Sequence, residues 1–230
     1  MITLDFLKLI FPLLLRAALM TLLLSVIAVF DGVVIGTFGG IGRIAKNPFF
    51  RGATGFYVDF VRGTPLLVQI MMVYYALPPV LGSVLALFGG DGNPVHIPPF
   101  PAAILALSVN SGAYVTEIVR AGIQSIDRGQ MEAARSLGLS HGQAMRYIIL
   151  PQALKRVIPP LGNEFIAMLK DSSLVSVIAM EELVRRGQII STTYYRPTET
   201  WLAVAVVFLV MTLPFTRLVA LLERKLKTGD

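Results

Sequence analysis

Residues 157–180, VIPPLGNEFIAMLKDSSLVSVIAM, form a largely apolar run that carries Glu164, Lys170 and Asp171. Charges in such a setting do ionic chemistry: they hold a charged solute, carry a proton, or pair with one another. On helical spacing Asn163, Glu164, Ala167, Lys170, Asp171 and Leu174 lie along one stripe. Lys170 and Asp171 are adjacent and cannot face each other. Pro159 and Pro160 free backbone carbonyls, and Ser172, Ser173 and Ser176 add hydroxyls, which suits a lined pathway. Glu164 is the candidate for holding the ammonium or guanidinium of a solute. Its alternative is a structural ion pair with a basic residue of another helix or of a second copy.

A second stripe reads Asn110, Tyr114, Glu117 and Ala121, at i, i+4, i+7 and i+11. Polar groups on one face of an apolar helix should turn into a bundle and away from lipid. Arg120 stands three residues from Glu117, so a local ion pair competes with any solute role for that carboxylate. Gln69 is the polar side chain of its apolar run; it either meets a solute or hydrogen-bonds between helices. Asp31 also lies in an apolar run, where an acid is a functional candidate; Gly32 and Gly36 nearby suggest close helix packing and a structural role instead, and both readings stay open. His96 has no second ligand near it in the sequence, and no metal-ligand spacing or nucleophile–base pair is evident.

The elements that must position these groups are membrane spans. Of 230 residues, 55% are hydrophobic and only 15% charged, with mean hydropathy +0.71; a soluble domain carries about 25% charge. Apolar runs cover about 9–38, 64–88, 101–121, 157–180 and 201–222, against the ~20 residues that a crossing needs. The reading is an all-α integral membrane protein with five transmembrane helices in one domain, 1–230. The opening MITLDFLKLIFPLLLR lacks a cleavage pattern and is kept as part of the first span, with Arg16 able to snorkel. Pro78-Pro79 should interrupt the second span and Pro214 is placed to kink the fifth, whose Trp201 suits an interfacial belt. There is no cysteine, so disulfides are excluded.

Residues 39–63 read as a basic loop, 89–100 as an irregular outer loop, and 181–200 as a mixed-charge outer segment. The first holds four basic residues, the segment 120–156 six, and the tail four, whereas 89–100 holds none. By the positive-inside rule the N-terminus is outside, the C-terminus cytoplasmic, and the polar island at 127–151 cytoplasmic.

That island, DRGQMEAARSLGLSHGQAMRYIILP, reads as two short helices joined by a glycine. Asp127 and Gln130 are spaced as N-cap and N3, and Ser140 and Gln143 as a capping box. Gly138 sits where a helix ends in the left-handed conformation, and Pro151 should close the unit. A DNA-binding helix-turn-helix and an unpartnered amphipathic surface helix are the competing readings. The apolar flanks disfavour the former, so no nucleic acid is expected.

The pattern Glu132-Ala133-Ala134, Gly138, Ile148, Leu150-Pro151 resembles the cytoplasmic "EAA" loop of membrane subunits of binding-protein-dependent ABC importers. RGTPLLVQI (62–70), AYVTEIVRAGIQSI (113–126) and PPLGNEF (159–165) are similar to the polar amino acid uptake branch. The resemblance implies a type I importer fold, with a coupling helix between spans three and four that docks on an ATPase through Glu132, Ala133, Ala134 and Gly138. It implies as partners ABC ATPase subunits, a second permease subunit and an extracytoplasmic substrate-binding protein. The cargo would be an amino acid of the histidine, glutamine, glutamate, arginine or opine type, moved across a bacterial inner membrane. The pathway candidates are then Glu164, Asn163, Asp171, Asn110, Tyr114, Glu117 and Gln69. No G-x-x-x-x-G-K-[ST] loop occurs, so ATP and Mg belong on the partner and no cofactor is expected on this chain. An ion-coupled secondary transporter using Glu164 and Asp171 as proton carriers is the rival reading.

Overall fold

A computed structural model describes residues 4–227; the first three residues of the opening stretch and the last three of the tail lie outside the described residues. Two long helices set the frame. α1 (Leu4–Ile44) and α5 (Pro99–Gln124) lie side by side and parallel, because contacts advance together along both. Gly32 meets Ser111, Gly36 meets Val115, Gly39 meets Thr116 and Gly40 meets Val119. A side chain at this seam has no room: a Cβ on Gly32 would stand 2.6 Å from Ser111 Oγ, and one on Gly36 2.8 Å from the Thr116 amide nitrogen. Small residues that let backbones approach are how apolar helices gain packing where lipid competes for the same contacts.

Residues 48–63 are not a loop. α1 runs on to Ile44, and α2 (Pro48–Gly63) turns back along α5. Asn47 caps α2 by accepting from the Phe49 amide at 2.9 Å, with Pro48 in the first turn, a start signal that the loop reading passed over. Gly55, Val58 and Val61 face inward at helical spacing, and the Tyr57 hydroxyl donates to the Val109 carbonyl at 2.6 Å.

The prolines interrupt less than the sequence suggests. α3 (Leu66–Met71) passes through a π-turn at 72–76 into α4 (Leu77–Ala86). The Leu77 amide reaches back five residues to Met72 O, so Pro78 and Pro79 follow a widened turn. The same device precedes Pro151. α7 (His141–Ala144) passes through a π-turn at 145–149 into α8 (Leu150–Asp171), with Leu150 N donating to Met145 O. Pro151 therefore sits in the first turn of α8 and does not close the unit. A π-turn shifts the bonding register where proline lacks its N–H and would crowd the carbonyl four residues back.

The run expected at 157–180 is also broken. α8 ends at Asp171, a 3₁₀ segment covers 172–178, and Ala179 takes φ 59°. Glu182 then caps α9 (Leu183–Tyr194), accepting from the Val184 and Arg185 amides at 2.8 and 2.7 Å. α9 climbs α1 antiparallel: the Leu183 amide donates to Thr21 Oγ1 at 3.1 Å, and Tyr194 meets the Phe6 ring edge-on. The segment 181–200, read as a mixed-charge outer segment, is largely a packed helix, with Leu183 and Ile190 buried among Ile10, Leu14, Val204 and Val207. Irregular backbone between apolar helices survives because it is enclosed: Ser172, Val175, Ile178 and Glu182 are all buried.

α10 (Pro197–Lys227) is continuous through Pro214 and packs on α8, with Phe165 edge-on to Phe215 and Gly162 against Val219. Leu24, Ile70, Leu107, Met168 and Ile178 form the central core, joining α1, α3, α5, α8 and the 3₁₀ segment. Among the described residues four helices are long and apolar enough to cross a bilayer, at 4–44, 66–86, 99–124 and 197–226. Opposite the island end, the loop after α4 is pinned by Val95 N to Pro78 O at 3.1 Å. Asn93 donates through its amide and side chain to Asp91, which holds that carboxyl below the usual range.

Candidate functional site: a polar seam and a capped elbow

Each polar group meets a specific neighbour. Ser111 Oγ on α5 donates to Glu164 Oε1 on α8 at 2.9 Å. Among the described residues no lysine or arginine lies within ion-pair distance of Glu164. Asn163 beside it is exposed, as is Asp171 two turns on. Lys170 leaves this stripe: with Ser173 it lines an open groove that faces Phe208, Leu209 and Thr212 of α10. The single stripe of the sequence reading thus divides, because successive helical residues diverge by about 100° and α10 takes up the lysine's side.

Gln69 and Asn110 are locked together. Gln69 Nε2 donates to the carbonyls of Val61 and Thr64 at 2.7 and 3.1 Å, and Asn110 Nδ2 donates to Gln69 Oε1 at 3.0 Å. Gln69 therefore satisfies carbonyls left open where α2 ends and ties that break to α5. Gln69→Leu should strand those carbonyls and the Asn110 amide, lowering stability by about 1–3 kcal/mol, read as a lower melting temperature in detergent.

Glu117 pairs with Arg120 one turn on and with Arg43 of α1, whose Nε lies 3.2 Å from Oε1. This ion-pair knot joins the island ends of α1 and α5. Tyr114, one turn from Glu117, is 40% exposed, and the Arg62 guanidinium lies 5.2 Å from its ring centroid. Arg62 entered the sequence reading as loop charge and as the first residue of RGTPLLVQI (62–70), without a role of its own. Asp31 accepts from Ser108 Oγ at 3.3 Å at the wall of an apolar groove of about 600 Å³ between α1 and α5.

The island is a rigid elbow. In α6 (Arg128–Ser136) the Asp127 side chain accepts from Gly129 N at 2.8 Å. Gln130 is not its reciprocal partner; it accepts from Gln152 at 3.2 Å and so ties α6 to α8. Gly138 takes φ 87°, with Leu139 N returning to Ala134 O and Gly138 N to Arg135 O, which closes α6. Ser140 and Gln143 form the full reciprocal box at α7. Glu132 and Ala133 face outward, whereas Ala134 is buried against the protein itself. Leu137, at the tip, is 83% exposed.

The sequence pattern of the family described as "Binding-protein-dependent transport system inner membrane component" matches residues 32–228. The chain belongs to this family. It is 41% identical over 216 residues to the glutamine transport system permease protein GlnP of Escherichia coli (strain K12), covering 94% of each chain. It is 36% identical over 219 residues to the arginine transport system permease protein ArtQ of Bacillus subtilis (strain 168), covering 95% of this chain and 94% of that one. A crystal structure of an amino acid ABC transporter with histidines superposes with TM-score 0.85 at 44% identity, over 97% of this permease and all of that chain. An inward-facing MetNI methionine ABC transporter shares the fold, with TM-score 0.72 at 20% identity over 94% and 97% of the two chains. The permease is the multi-pass inner-membrane subunit of a bacterial ABC transporter and not its ATPase. Dependence on a binding protein and on a separate ATPase follows from the family.

Proposed function

We propose that this permease imports a polar or charged amino acid by ATP-driven alternating access. The named relatives carry glutamine and arginine, and the most similar structure cited above holds histidines, which supports the cargo class. The permease pairs with a second permease subunit, identical or related, and rests on two ATPases that hold ATP and Mg. It forms one domain, 1–230, that crosses the membrane five times with the N-terminus outside and the C-terminus cytoplasmic. α1, α3 with α4, α5 and α10 supply four crossings. α8 with the 3₁₀ segment and α9 supplies the fifth, packed against α1, α5 and α10. The excess of basic residues in 120–156 and in the tail supports this orientation.

Closure of the ATPases moves the elbow, with Glu132 and Gly138 at its outer surface, Ala133 allowing close approach and Ala134 fixing it to the body. The motion reaches the pathway through α8, which runs on from the elbow to Glu164. Asn163, Tyr114 and Asp171 line that pathway, while Gln69, Asn110 and Glu117 hold its walls in register.

The carrying observation is the Glu164 carboxylate, held by Ser111 between apolar helices with no cation in ion-pair reach among the described residues. A charge so placed is retained for a solute's positive group. In the reconstituted transporter, Glu164→Gln should lower uptake by roughly tenfold or more, with the ATPase still bound. Unchanged uptake would refute a cargo role for Glu164. Uptake that survived ATP depletion and collapsed with an uncoupler would replace the import mechanism with ion coupling.

A further inference from the structure

Arg62 carries a charge that none of the ion pairs or cargo contacts named above employs. Its guanidinium is exposed at the end of α2, over the Tyr114 ring. Among the described residues no carboxylate lies within ion-pair distance of it, although Asp59 stands one turn earlier. Tyr114 is three residues from Ser111 on α5, so the two are surface neighbours about 5–6 Å apart at Cβ. Ser111 in turn holds Glu164. A cation and a carboxylate, neither in an ion pair among the described residues, therefore approach one turn of α5, Arg62 of α2 over the exposed Tyr114 ring and Glu164 of α8 on Ser111. That turn lies near the middle of α5, about half-way across an apolar bundle. Two opposite charges left unpaired there are expensive unless a ligand carries the complement of both.

An amino acid carries that complement on one carbon: a carboxylate and an ammonium. A guanidinium fork matches a carboxylate with two parallel hydrogen bonds, and a part-buried carboxylate suits an ammonium. We propose that Arg62 binds the α-carboxylate of the cargo, set against Glu164 so that the pair recognises the zwitterionic end of an amino acid and leaves the side chain to vary. The proposal rests on the reading of Glu164 as a cargo contact. The break at 64–65 gives Arg62 its position, because α2 ends there and Gln69 clamps the open carbonyls.

The test is direct binding of glutamine, arginine and histidine, and of the α-amide of each, to the purified permease–ATPase complex without binding protein. Wild type should prefer a free acid over its amide by about 10- to 100-fold. Arg62→Gln should erase that preference by weakening the acid alone. Glu164→Gln should weaken acid and amide alike and keep the preference. Arg62→Lys, a charge without the fork, should retain a reduced preference. If Arg62→Gln keeps the preference, or if it instead separates the permease subunits on size exclusion, the proposal is overturned while the reading of Glu164 stands. If wild type binds none of the six compounds, the reading of Glu164 fails and the proposal falls with it.

Discussion

Gly138→Val should uncouple the transporter. Gly138 holds φ 87° at the turn between α6 and α7, and a left-handed backbone costs a residue with a side chain roughly 1–2 kcal/mol, more when it is β-branched. No neighbouring atom crowds the position, so the penalty is one of backbone and not of space. The two bonds that close α6, from Leu139 N and Gly138 N, form only with that backbone. Their loss frees Glu132 and Ala133 from a fixed presentation. ATPase activity should stop responding to the loaded binding protein and uptake should fall roughly tenfold or more, while the helices in the membrane stay folded. Gly138→Asn, which tolerates the left-handed region, should keep most of the activity. A fully coupled Gly138→Val permease would show that elbow geometry does not transmit force.

Gly36→Leu should act on stability. Its first side-chain atom would stand 2.8 Å from the Thr116 amide nitrogen, with Val115 closer still. The conflict lies partly with backbone, so it cannot be relieved by turning a side chain. The helices must part along a seam that Gly32, Gly39 and Gly40 also hold closed. Overpacking of this kind costs about 1–3 kcal/mol and more where two helices must separate. A fall of several degrees in melting temperature and a poor yield of folded protein are the expected results. Gly52→Ala, at an exposed position with nothing within 4 Å, should be silent. Equal melting temperatures for Gly36→Leu and wild type would mean that the two helices do not meet along this line.

The elbow was legible in the sequence because capping is local chemistry. Asp127, Gly138, Ser140 and Gln143 each act within a few residues of their own backbone; the three-residue spacing named the right partner at Ser140 and the wrong one at Asp127, whose Gln130 is drawn away by Gln152 of α8. The Glu117–Arg120 pair was legible for the same reason. The helices of 48–63 and 183–194 were missed because their apolar faces are short and interrupted by arginines, so that charge counting overrode periodicity. The π-turns before Pro78 and Pro151 carry no sequence signature apart from the proline, and so a break was expected where a widened turn occurs. Long-range choices were beyond reach. That Gln69 closes on Asn110, that Lys170 turns to α10 while Glu164 turns to Ser111, and that Arg62 reaches Tyr114 all depend on which helix packs beside which.

We propose that the doubly capped elbow is the face on which the ATPase pushes. The natural chain contains no cysteine, so one cysteine at Ala133 gives an unambiguous reporter. Short bifunctional thiol cross-linking in membranes containing the assembled transporter should yield one adduct of permease with ATPase, and its yield should change between nucleotide-free and ATP-bound states. An Ala133→Cys permease that gave no ATPase adduct, and that was labelled in intact cells by a thiol reagent unable to cross the membrane, would place the elbow on the wrong side of the bilayer and rule out its coupling to the ATPase.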